Sequence, residues 1–339
     1  MNLPADTRSR AIAVALGVVA ALLLVGLGSD RPLYAIQVFL LSPITNRFYF
    51  GSMVAGASVL LLGGLGIAVS FRGGSFNLGG EGQVYLPGLL ATSLLLRLPI
   101  ELGWVGTALA LLCAAAAGAL MAGISGLLRW SLRVPEIISS YLLSAASLPL
   151  VDYYIVSVMR DETSNLLTTR PIPESFRFGR ILAPSTLSTS LFVSIAVFAG
   201  CFLWYRRSRR AYRLRLVGDA SEFAHYSGIG VGAHRTLAIA VSGALYGLGG
   251  GLLVTGIRGA AIAGFGAGYG WNGIAVALIA GLQPKLIPVG ALVLAFLDTS
   301  ARAVSVVSRV PPQVVTVIQA MILLAVTVQG WQSWRRRRR

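Results

Sequence analysis

The sequence predicts an all-α integral membrane protein of about ten transmembrane helices, and three observations lead to that fold class. Hydrophobic residues make up 55% of the 339 residues, and charged residues only 12%. Apolar runs of about eighteen residues or more recur along the chain, and each is long enough for a helix to cross a bilayer. Short clusters of arginine lie at the ends of these runs, where they orient a membrane protein.

The candidate spans follow from a hydropathy window of about twenty residues. They fall at about 11–28, 50–70, 83–97, 104–128, 137–158, 186–205, 236–254, 271–283, 286–303 and 313–330. We interpret the first as a retained helix, not a cleaved signal peptide. Alternating the spans from a cytoplasmic start puts both termini and most basic residues inside. The chain is then one transmembrane domain, 1–339, with an external loop at about 159–185 and a cytoplasmic loop at about 206–235.

Several other classes of function are disfavoured by the sequence. The net charge of +16 could suit nucleic acid, but the arginines, including the final WQSWRRRRR, flank apolar runs. Cys113 and Cys201 each lie inside an apolar run, so no disulfide is expected. His225 and His234 stand in a loop without a nearby cysteine, so no metal site is expected. The phosphate-binding loop G-x-x-x-x-G-K-[ST] is absent, and we expect neither a cofactor nor enzymatic activity in this chain.

Two glycine-rich interruptions break the apolar pattern. The first is SFRGGSFNLGGEGQVYLP, which begins at Ser70, and the second is GIRGAAIAGFGAGYGWNG, which begins at Gly256. Each comes about twenty residues after a span begins, and the two spans run in opposite directions in the predicted topology. We therefore predict glycine-rich broken helices that could belong to two inverted repeats.

Polar side chains within these interruptions are candidates for the lining of a solute pathway. A broken helix at membrane depth is tolerated only against protein or a water-filled cavity. Amide side chains can both donate to and accept from a polar solute, while a carboxylate accepts or pairs with an arginine. A cytoplasmic loop whose polar residues only face water is an equally open alternative. The candidate pathway residues are Phe76, Asn77, Glu81, Gln83, Trp271 and Asn272.

The largest predicted cytoplasmic loop contains the sequence LVGDASEFAHYSGI, directly after a run of arginines. Asp219, followed three residues later by Glu222, is typical of a helix N-cap with its reciprocal acid, so a short amphipathic helix is predicted to start there. Such a helix could dock a partner protein, or it could lie on the lipid surface.

Two further patterns are interpreted as scaffold. Gly243, Gly247 and Gly251 have the G-x-x-x-G spacing that lets helices approach closely. Asp298 and Arg302 are four residues apart on one helix face, which favours structural pairing over a proton relay.

The segment SFNLGGEGQVYLPGLLA resembles the F-N-[IL]-G-x-E-G-Q signature of permease subunits of bacterial nucleoside importers. These belong to a branch of the ABC transporters related to simple-sugar and branched-chain amino-acid permeases. Further matches are RVPEIISSYLL, YRLRLVGDASEFAHYSGI, GWNGIAVALIAGLQP and VPPQVVTVIQAMILL, in the order of that family. Together they span most of the chain.

This resemblance implies that substrate passes through the permease and that a separate ATPase subunit, with tandem nucleotide-binding domains, hydrolyses ATP. It implies a second, related permease, an extracytoplasmic solute-binding protein and a bacterial cytoplasmic membrane. The segment around Asp219 would then be the loop that docks onto the ATPase, although the family usually has an asparagine there and two alanines before the tyrosine. The implied coupling residues are Gly218, Asp219, Glu222, Ala224, Tyr226 and Gly228.

The leading hypothesis from the sequence is the permease half of an ABC importer that carries a nucleoside or a related simple sugar inward. A branched-chain amino-acid or ribose-type ABC permease is the alternative substrate class. A secondary transporter driven by an ion gradient, with Glu81, Glu136 or Asp298 as its proton site, is a rival of a different class. A third hypothesis is a membrane subunit with a purely structural role.

Overall fold

The computed structural model describes residues 18–19, 22–266 and 268–308. Over these ranges the chain is helical apart from its loops and three isolated β-bridges, so the all-α prediction is confirmed there. Residues 22–28 are helical, and the α-helices that follow are numbered from α1. They are α1 (Pro32–Thr45), α2 (Arg47–Arg72), α3 (Gly80–Leu95), α4 (Gly103–Leu132), α5 (Glu136–Tyr153), α6 (Ser190–Arg207), α7 (Arg209–Asp219), α8 (Ser221–Tyr226), α9 (Val231–Leu252), α10 (Tyr269–Ile279) and α11 (Ile287–Val307). Helices α5 and α9 continue into π-helical turns, Tyr154–Val158 and Leu253–Arg258.

Six helical stretches in the described part of the chain are long and apolar enough to cross a membrane. They are Arg47–Arg72, Ile100–Leu132, Glu136–Val158, Ser190–Arg207, Val231–Arg258 and Pro284–Val307. Helix α1 has no counterpart among the predicted spans. Its 14 residues, which include Pro43, are too few to cross a bilayer, so the hydropathy window did not select it. The predicted span 313–330 lies outside the described residues, as do residues 11–17 and 20–21 of the predicted span 11–28. The chain is therefore a multi-pass helical protein, while the count of ten spans stays a prediction.

Helices α2 and α9 form the centre of the molecule. Their most apolar stretches are 83% and 72% buried, against 17% for α6, which lies at the periphery. Glycines let the two central helices touch: a Cβ built on Gly66 of α2 would lie 2.9 Å from the carbonyl oxygen of Ser242 in α9. A larger side chain at that position would push the helices apart.

The predicted G-x-x-x-G packing is confirmed between α9 and α4. A Cβ on Gly243 would overlap the carbonyl oxygen of Gly118, and one on Gly247 would overlap that of Ala114. A Cβ on Gly251 would lie 2.9 Å from Leu111. These small residues form one continuous contact between α9 and α4. Close approach of the two helices explains why glycine recurs every fourth residue in α9.

The two long loops lie at opposite ends of α9. The loop after α5 covers the end of α9, with hydrogen bonds from Thr169 N to Ala261 O and from Ile172 N to Gly259 O, both 2.9 Å. Helices α7 and α8 instead lead into the start of α9. The two segments are therefore separated by the length of α9, while their assignment to the external and cytoplasmic sides stays a prediction.

The predicted start of a helix at Asp219 is wrong. Asp219 is the last residue of α7, which starts after Ser208, whose hydroxyl accepts a hydrogen bond from Arg210 N at 3.2 Å. Helix α8 begins at Ser221 after Ala220, which has an extended φ of −149° and no side chain that could cap it. The helix is capped by Ser208, well before Asp219. Most of the arginine run is therefore helical, and Asp219 lies at the C-terminus of α7.

Candidate functional site

The first glycine-rich interruption is a non-helical segment, residues 73–79, between α2 and α3. Its backbone donors meet side chains of α5: Phe76 N donates to Glu136 Oε1 at 3.2 Å, and Leu78 N donates to Ser140 Oγ at 3.1 Å. In the first turn of α3, Gly82 N donates to Ser144 Oγ at 2.7 Å. Backbone groups freed by the break are thus paired by one stripe of α5, at i, i+4 and i+8.

Sequence reasoning did not assign a role to this stripe. The signal that could have found it is the repeat of polar residues every fourth position in EIISSYLLSAAS, which places them on one face of an otherwise apolar helix. Glu136 is also ion-paired with Arg129, whose Nη1 donates to Gly74 O at 3.1 Å. Glu136 is 4% exposed, so a carboxylate that sequence reasoning offered as a proton site is committed to structural contacts.

Asn77 and Gln83 form a buried pair of amides, and each is 0% exposed. Asn77 Nδ2 donates to Gln83 Oε1 at 2.7 Å, while Gln83 Nε2 donates back to Asn77 Oδ1 at 2.9 Å. Asn77 Nδ2 also donates to Ser242 Oγ at 2.9 Å, and its Oδ1 accepts from Gly79 N at 3.0 Å. The polar atoms of Asn77 are fully used, and neither amide is accessible to a solute in this conformation.

Glu81 joins the two interruptions. Its carboxylate, in the first turn of α3, accepts hydrogen bonds from Gly268 N and from Gly270 N, the latter at 2.9 Å. These N–H groups open α10, so an acidic side chain from one half of the chain caps the first turn of a helix in the other. Tyr246 Oη, at mid-length of α9, donates to Gly270 O at 2.9 Å.

Glycine is required where the two helix starts meet. A Cβ on Gly270 would overlap the backbone nitrogen of Glu81, and one on Gly80 would lie 3.1 Å from the Cα of Gly270. The helix starts of α3 and α10 are therefore in direct backbone contact beside Tyr246. This meeting of two broken spans is the most constrained part of the candidate site.

Aromatic side chains surround the broken spans at the protein surface. Trp271 is 50% exposed and Phe76 is 45% exposed. The Trp271 ring lies 6.5 Å from that of Tyr141, and the Phe76 ring lies 4.9 Å from that of Phe71. Of the six predicted pathway residues, these two are the ones exposed at the protein surface.

A cavity of about 220 Å³ lies between α2, α10 and α11, on the side of the 160–188 loop. Asn272 lines it, whereas its neighbour Trp271 does not, so these two predicted residues face different surroundings. The predicted ion pair is confirmed here, with Arg302 Nε 3.0 Å from Asp298 Oδ2. Most of the other residues that line the cavity were not predicted from the sequence. The one available signal was the isolated arginine in GIRG, Arg258, which also lines the cavity. The lining also includes Tyr49, Ser52, Arg258, Tyr269 and Thr299.

The segment α7–α8 touches the first break directly. A Cβ on Gly218 would overlap the carbonyl oxygen of Arg72 and would lie 3.0 Å from Gly74 N. The Leu214 side chain is packed against Gly73. A displacement of α7 would therefore act on the point where α2 ends and residues 73–79 begin.

Five of the six implied coupling residues are exposed, and one is buried. Tyr226 is 88% exposed and Phe223 is 61% exposed, whereas Ala224 is 0% exposed. Asp219, Glu222, Gly218 and Gly228 are also exposed. Ala224, one of the implied coupling residues, is buried within the chain, so its side chain is not on the surface that a partner could contact. Phe223, which was not predicted, is on the outside.

Two broken helices in direct contact, with their freed polar groups paired internally and a cavity beside them, are typical of membrane transport proteins. Comparison with known proteins specifies the class. Residues 49–327 match the family described as branched-chain amino acid transport system / permease component, so the chain belongs to this family of ABC transporter permeases. The resemblance predicted from the sequence is confirmed.

Individual relatives cover nearly the whole chain. "Probable riboflavin import permease protein RfuC" of Treponema pallidum is 34% identical over 97% of this chain and 87% of its own. "Guanosine ABC transporter permease protein NupP" of Bacillus subtilis is 30% identical over 82% and 81%. "Glucose ABC transporter permease protein TsgB13" of Haloferax volcanii is 29% identical over 92% and 83%. Permeases of this kind work with ATPase and solute-binding subunits, so partners of both types are implied.

Proposed function

We propose that the chain is a permease subunit of a bacterial ABC importer that moves a nucleoside-like solute inward across the cytoplasmic membrane. The observation that carries the proposal is the contact of Gly218 with Arg72 and Gly74. It joins an exposed cytoplasmic segment to the first broken span, and through Glu81 to the second. The chain has a physical route from an ATPase docking surface to the middle of its membrane spans.

Transport would be driven by a separate ATPase with tandem nucleotide-binding domains. The exposed aromatic residues Phe223 and Tyr226 of α8 would bind in a pocket of that subunit, because large aromatic side chains often lie at the centre of interfaces. Closure of the ATPase on ATP would displace α7–α8 and bias segment 73–79 between two arrangements. Glu222 and Asp219 would contribute at the polar rim of the same surface.

The proposed topology has ten spans with both termini in the cytoplasm. Arginines at the α6–α7 end and at both termini agree with the positive-inside rule. The loop at 160–188 would meet the solute-binding protein on the external side. Helices α2–α3 and α9–α10 would be the corresponding parts of two inverted repeats, and a second, related permease would complete the pathway.

The proposed substrate is a flat heterocycle that carries a sugar or a sugar alcohol. Guanosine and riboflavin, the solutes in the names of two relatives, share this chemistry. Exposed Trp271 and Tyr141 suit stacking on a planar ring. Asn272 and Tyr49 in the cavity on the external side can hydrogen bond with hydroxyl groups. Nucleosides remain the first candidate, and the 34% identity over 97% of the chain favours riboflavin as the second.

Uptake by the complete complex in proteoliposomes tests this proposal. We expect ATP-dependent accumulation of labelled guanosine or adenosine, with riboflavin as the second solute and with ribose, glucose and leucine transported poorly. Preferential uptake of leucine or glucose would refute the substrate class. Accumulation driven by a proton gradient without the ATPase would favour the ion-driven rival.

A pair of variants tests the docking surface. Replacing Phe223 and Tyr226 with alanine removes exposed rings without disturbing buried groups, so the chain should insert normally but retain the ATPase poorly on co-purification. Changing exposed Tyr212 of α7 to alanine is the matched control. Equal retention of the ATPase by the wild type and the double variant would contradict docking through α8.

A further inference from the structure

A second cavity, of about 180 Å³, lies between the end of α4 and the start of α9. Two arginines, Arg129 and Arg235, line it together with Trp130. The rest of the lining is small or apolar: Gly126, Val231 and Gly232. This cavity is separate from the one that contains Asn272, and the proposed transport cycle assigns it no ligand.

The charges around this cavity are not balanced. Arg129 is paired with Glu136, the nearby carboxylate. Arg235 Nε is buried, and no hydrogen-bond partner for it is found among the described residues. Arg235 also has no ion pair among the described residues, so an anion in the cavity would balance the charge that its guanidinium brings to the lining.

The start of α9 adds to the positive potential. Its N-cap is Gly230, which offers no side-chain cap, and its first turn has no acidic residue. The first N–H groups of a helix attract anions. In α9 these groups lie at the same end of the helix as Arg235 and the cavity. Phosphate is the anion that combines well with arginine and a helix N-terminus.

The surroundings of the cavity are those of a membrane interface. Trp130 is 59% exposed, and its indole lies against Gly232, where a Cβ would be 2.6 Å from Nε1. Preceding turns of α4 expose Leu120, Ile124 and Leu127. Tryptophan at the level of the headgroups and an apolar stripe beneath it fit the headgroup and acyl chain of one lipid.

We propose that this cavity binds the phosphate of an anionic phospholipid, with Arg235 and Arg129 on the phosphate, Trp130 at the interface, and the acyl chain along Leu127 and Leu120. The assignment to the cytoplasmic leaflet rests on the proposed topology. The site itself depends only on the geometry of α4 and α9. A lipid is favoured over a protein partner because the cavity opens beside an apolar membrane face and not on α7–α8.

The test is native mass spectrometry of the full-length chain in detergent, titrated with phosphatidylglycerol or phosphatidylcholine. Arg235→Gln should weaken the first phosphatidylglycerol Kd about fivefold, since one arginine contributes roughly that much to headgroup attraction. Arg207→Gln, at the same end but outside the cavity, is the matched control. Arg235→Lys should retain most of the affinity because it keeps the charge. Phosphatidylcholine should bind weakly to all forms.

Val231→Phe, which fills the cavity at constant charge, gives a second readout should Arg235→Gln fold poorly. It should also weaken phosphatidylglycerol binding, and unchanged binding would overturn the proposal. Equal loss in Arg235→Gln and Arg207→Gln would do the same, because the effect would then be general surface charge. Displacement of the lipid by millimolar inorganic phosphate would assign the cavity to a free anion. Loss of ATPase co-purification in Arg235→Gln with unchanged lipid binding would assign it to protein docking.

Discussion

The two broken spans satisfy their backbone in different ways. At the first break, side chains of another helix, Glu136 and Ser140, pair the free N–H groups, and the amide of Asn77 is locked inside. At the second break, side chains of α3 pair several of the free N–H groups, and glycines take the left-handed conformation at three of the described positions, with φ of 75° at Gly259, 74° at Gly264 and 87° at Gly268. Within residues 73–79 of the first break, Gly74 is the one left-handed glycine, so this break depends mainly on partners from α5 and on a buried amide, whereas the second also depends on several left-handed glycines.

The second break also depends on the first. Glu81 caps α10, and Tyr85 Oη, one turn further along α3, accepts from Gly264 N at 2.6 Å and is hydrogen bonded to Asp152. No polar side chain of the second break is found to act on the first among the described residues. A change at the first break should therefore disturb both, and this asymmetry can be tested.

The largest effect should come from Gly270→Ala. Its Cβ would overlap the backbone of Glu81 and separate the starts of α3 and α10, which we expect to lower the free energy of unfolding by about 3 kcal/mol. Chemical denaturation in detergent, followed by tryptophan fluorescence, measures this. Gly200→Ala, on α6 with open space around it, should have little effect or stabilise slightly. Equal stability of the two variants would contradict close contact between the breaks.

The next effect is expected for Glu81→Gln. The amide keeps one acceptor but turns a donor toward the second N–H of α10, so we expect a loss of about 2 kcal/mol in unfolding free energy. ATP-dependent uptake should fall as well, because the helix start of α10 loosens. Glu101→Gln, at an exposed position, controls for the loss of charge. A stable, transport-active Glu81→Gln would show that the two breaks are independent.

A smaller effect should follow from opening the amide pair. Gln83→Ala should lower the free energy of unfolding by about 1.5 kcal/mol, and Asn77→Ala by somewhat more, because it also loses Ser242 and Gly79. The double variant should lose little more than Asn77→Ala alone, because the bonds between the two amides are already lost there. A double-mutant cycle measures the coupling. The KM for solute distinguishes structural pairing from contact with solute. If the amides only pair with each other, KM should be unchanged in both variants. Additive losses of stability together with a raised KM would indicate contact with solute.

The smallest effect is expected for Ser140→Ala, which removes one partner of the Leu78 N–H and should cost about 1 kcal/mol. Ser139→Ala is its neighbour and matched control, since the Ser139 hydroxyl contacts only carbonyls of its own helix. The difference between the two unfolding free energies isolates the stripe of α5. If the control is as unstable as Ser140→Ala, the stripe does not support the first break.

Local pattern and composition were enough for much of this protein. Long apolar runs predicted the spans of α2, α4, α5, α9 and α11 within a few residues, because lipid leaves a helix as the way to pair the backbone. Glycine spacing predicted the approach of α9 to another helix, and the spacing of Asp298 and Arg302 predicted their ion pair. The segment FNLGGEGQ identified the permease family, which the match over residues 49–327 confirmed.

Tertiary structure decided what each polar residue does. Asn77 and Glu81 stand in the same short segment, yet one is buried against Gln83 while the other reaches a helix almost 190 positions away along the chain. Ala224 faces inward and Phe223 outward because α7 ends at Asp219, which sets the orientation of α8. Sequence spacing defines which residues share a helix face, but only the packing of distant helices determines which face is covered, and that requires contacts that no local pattern contains.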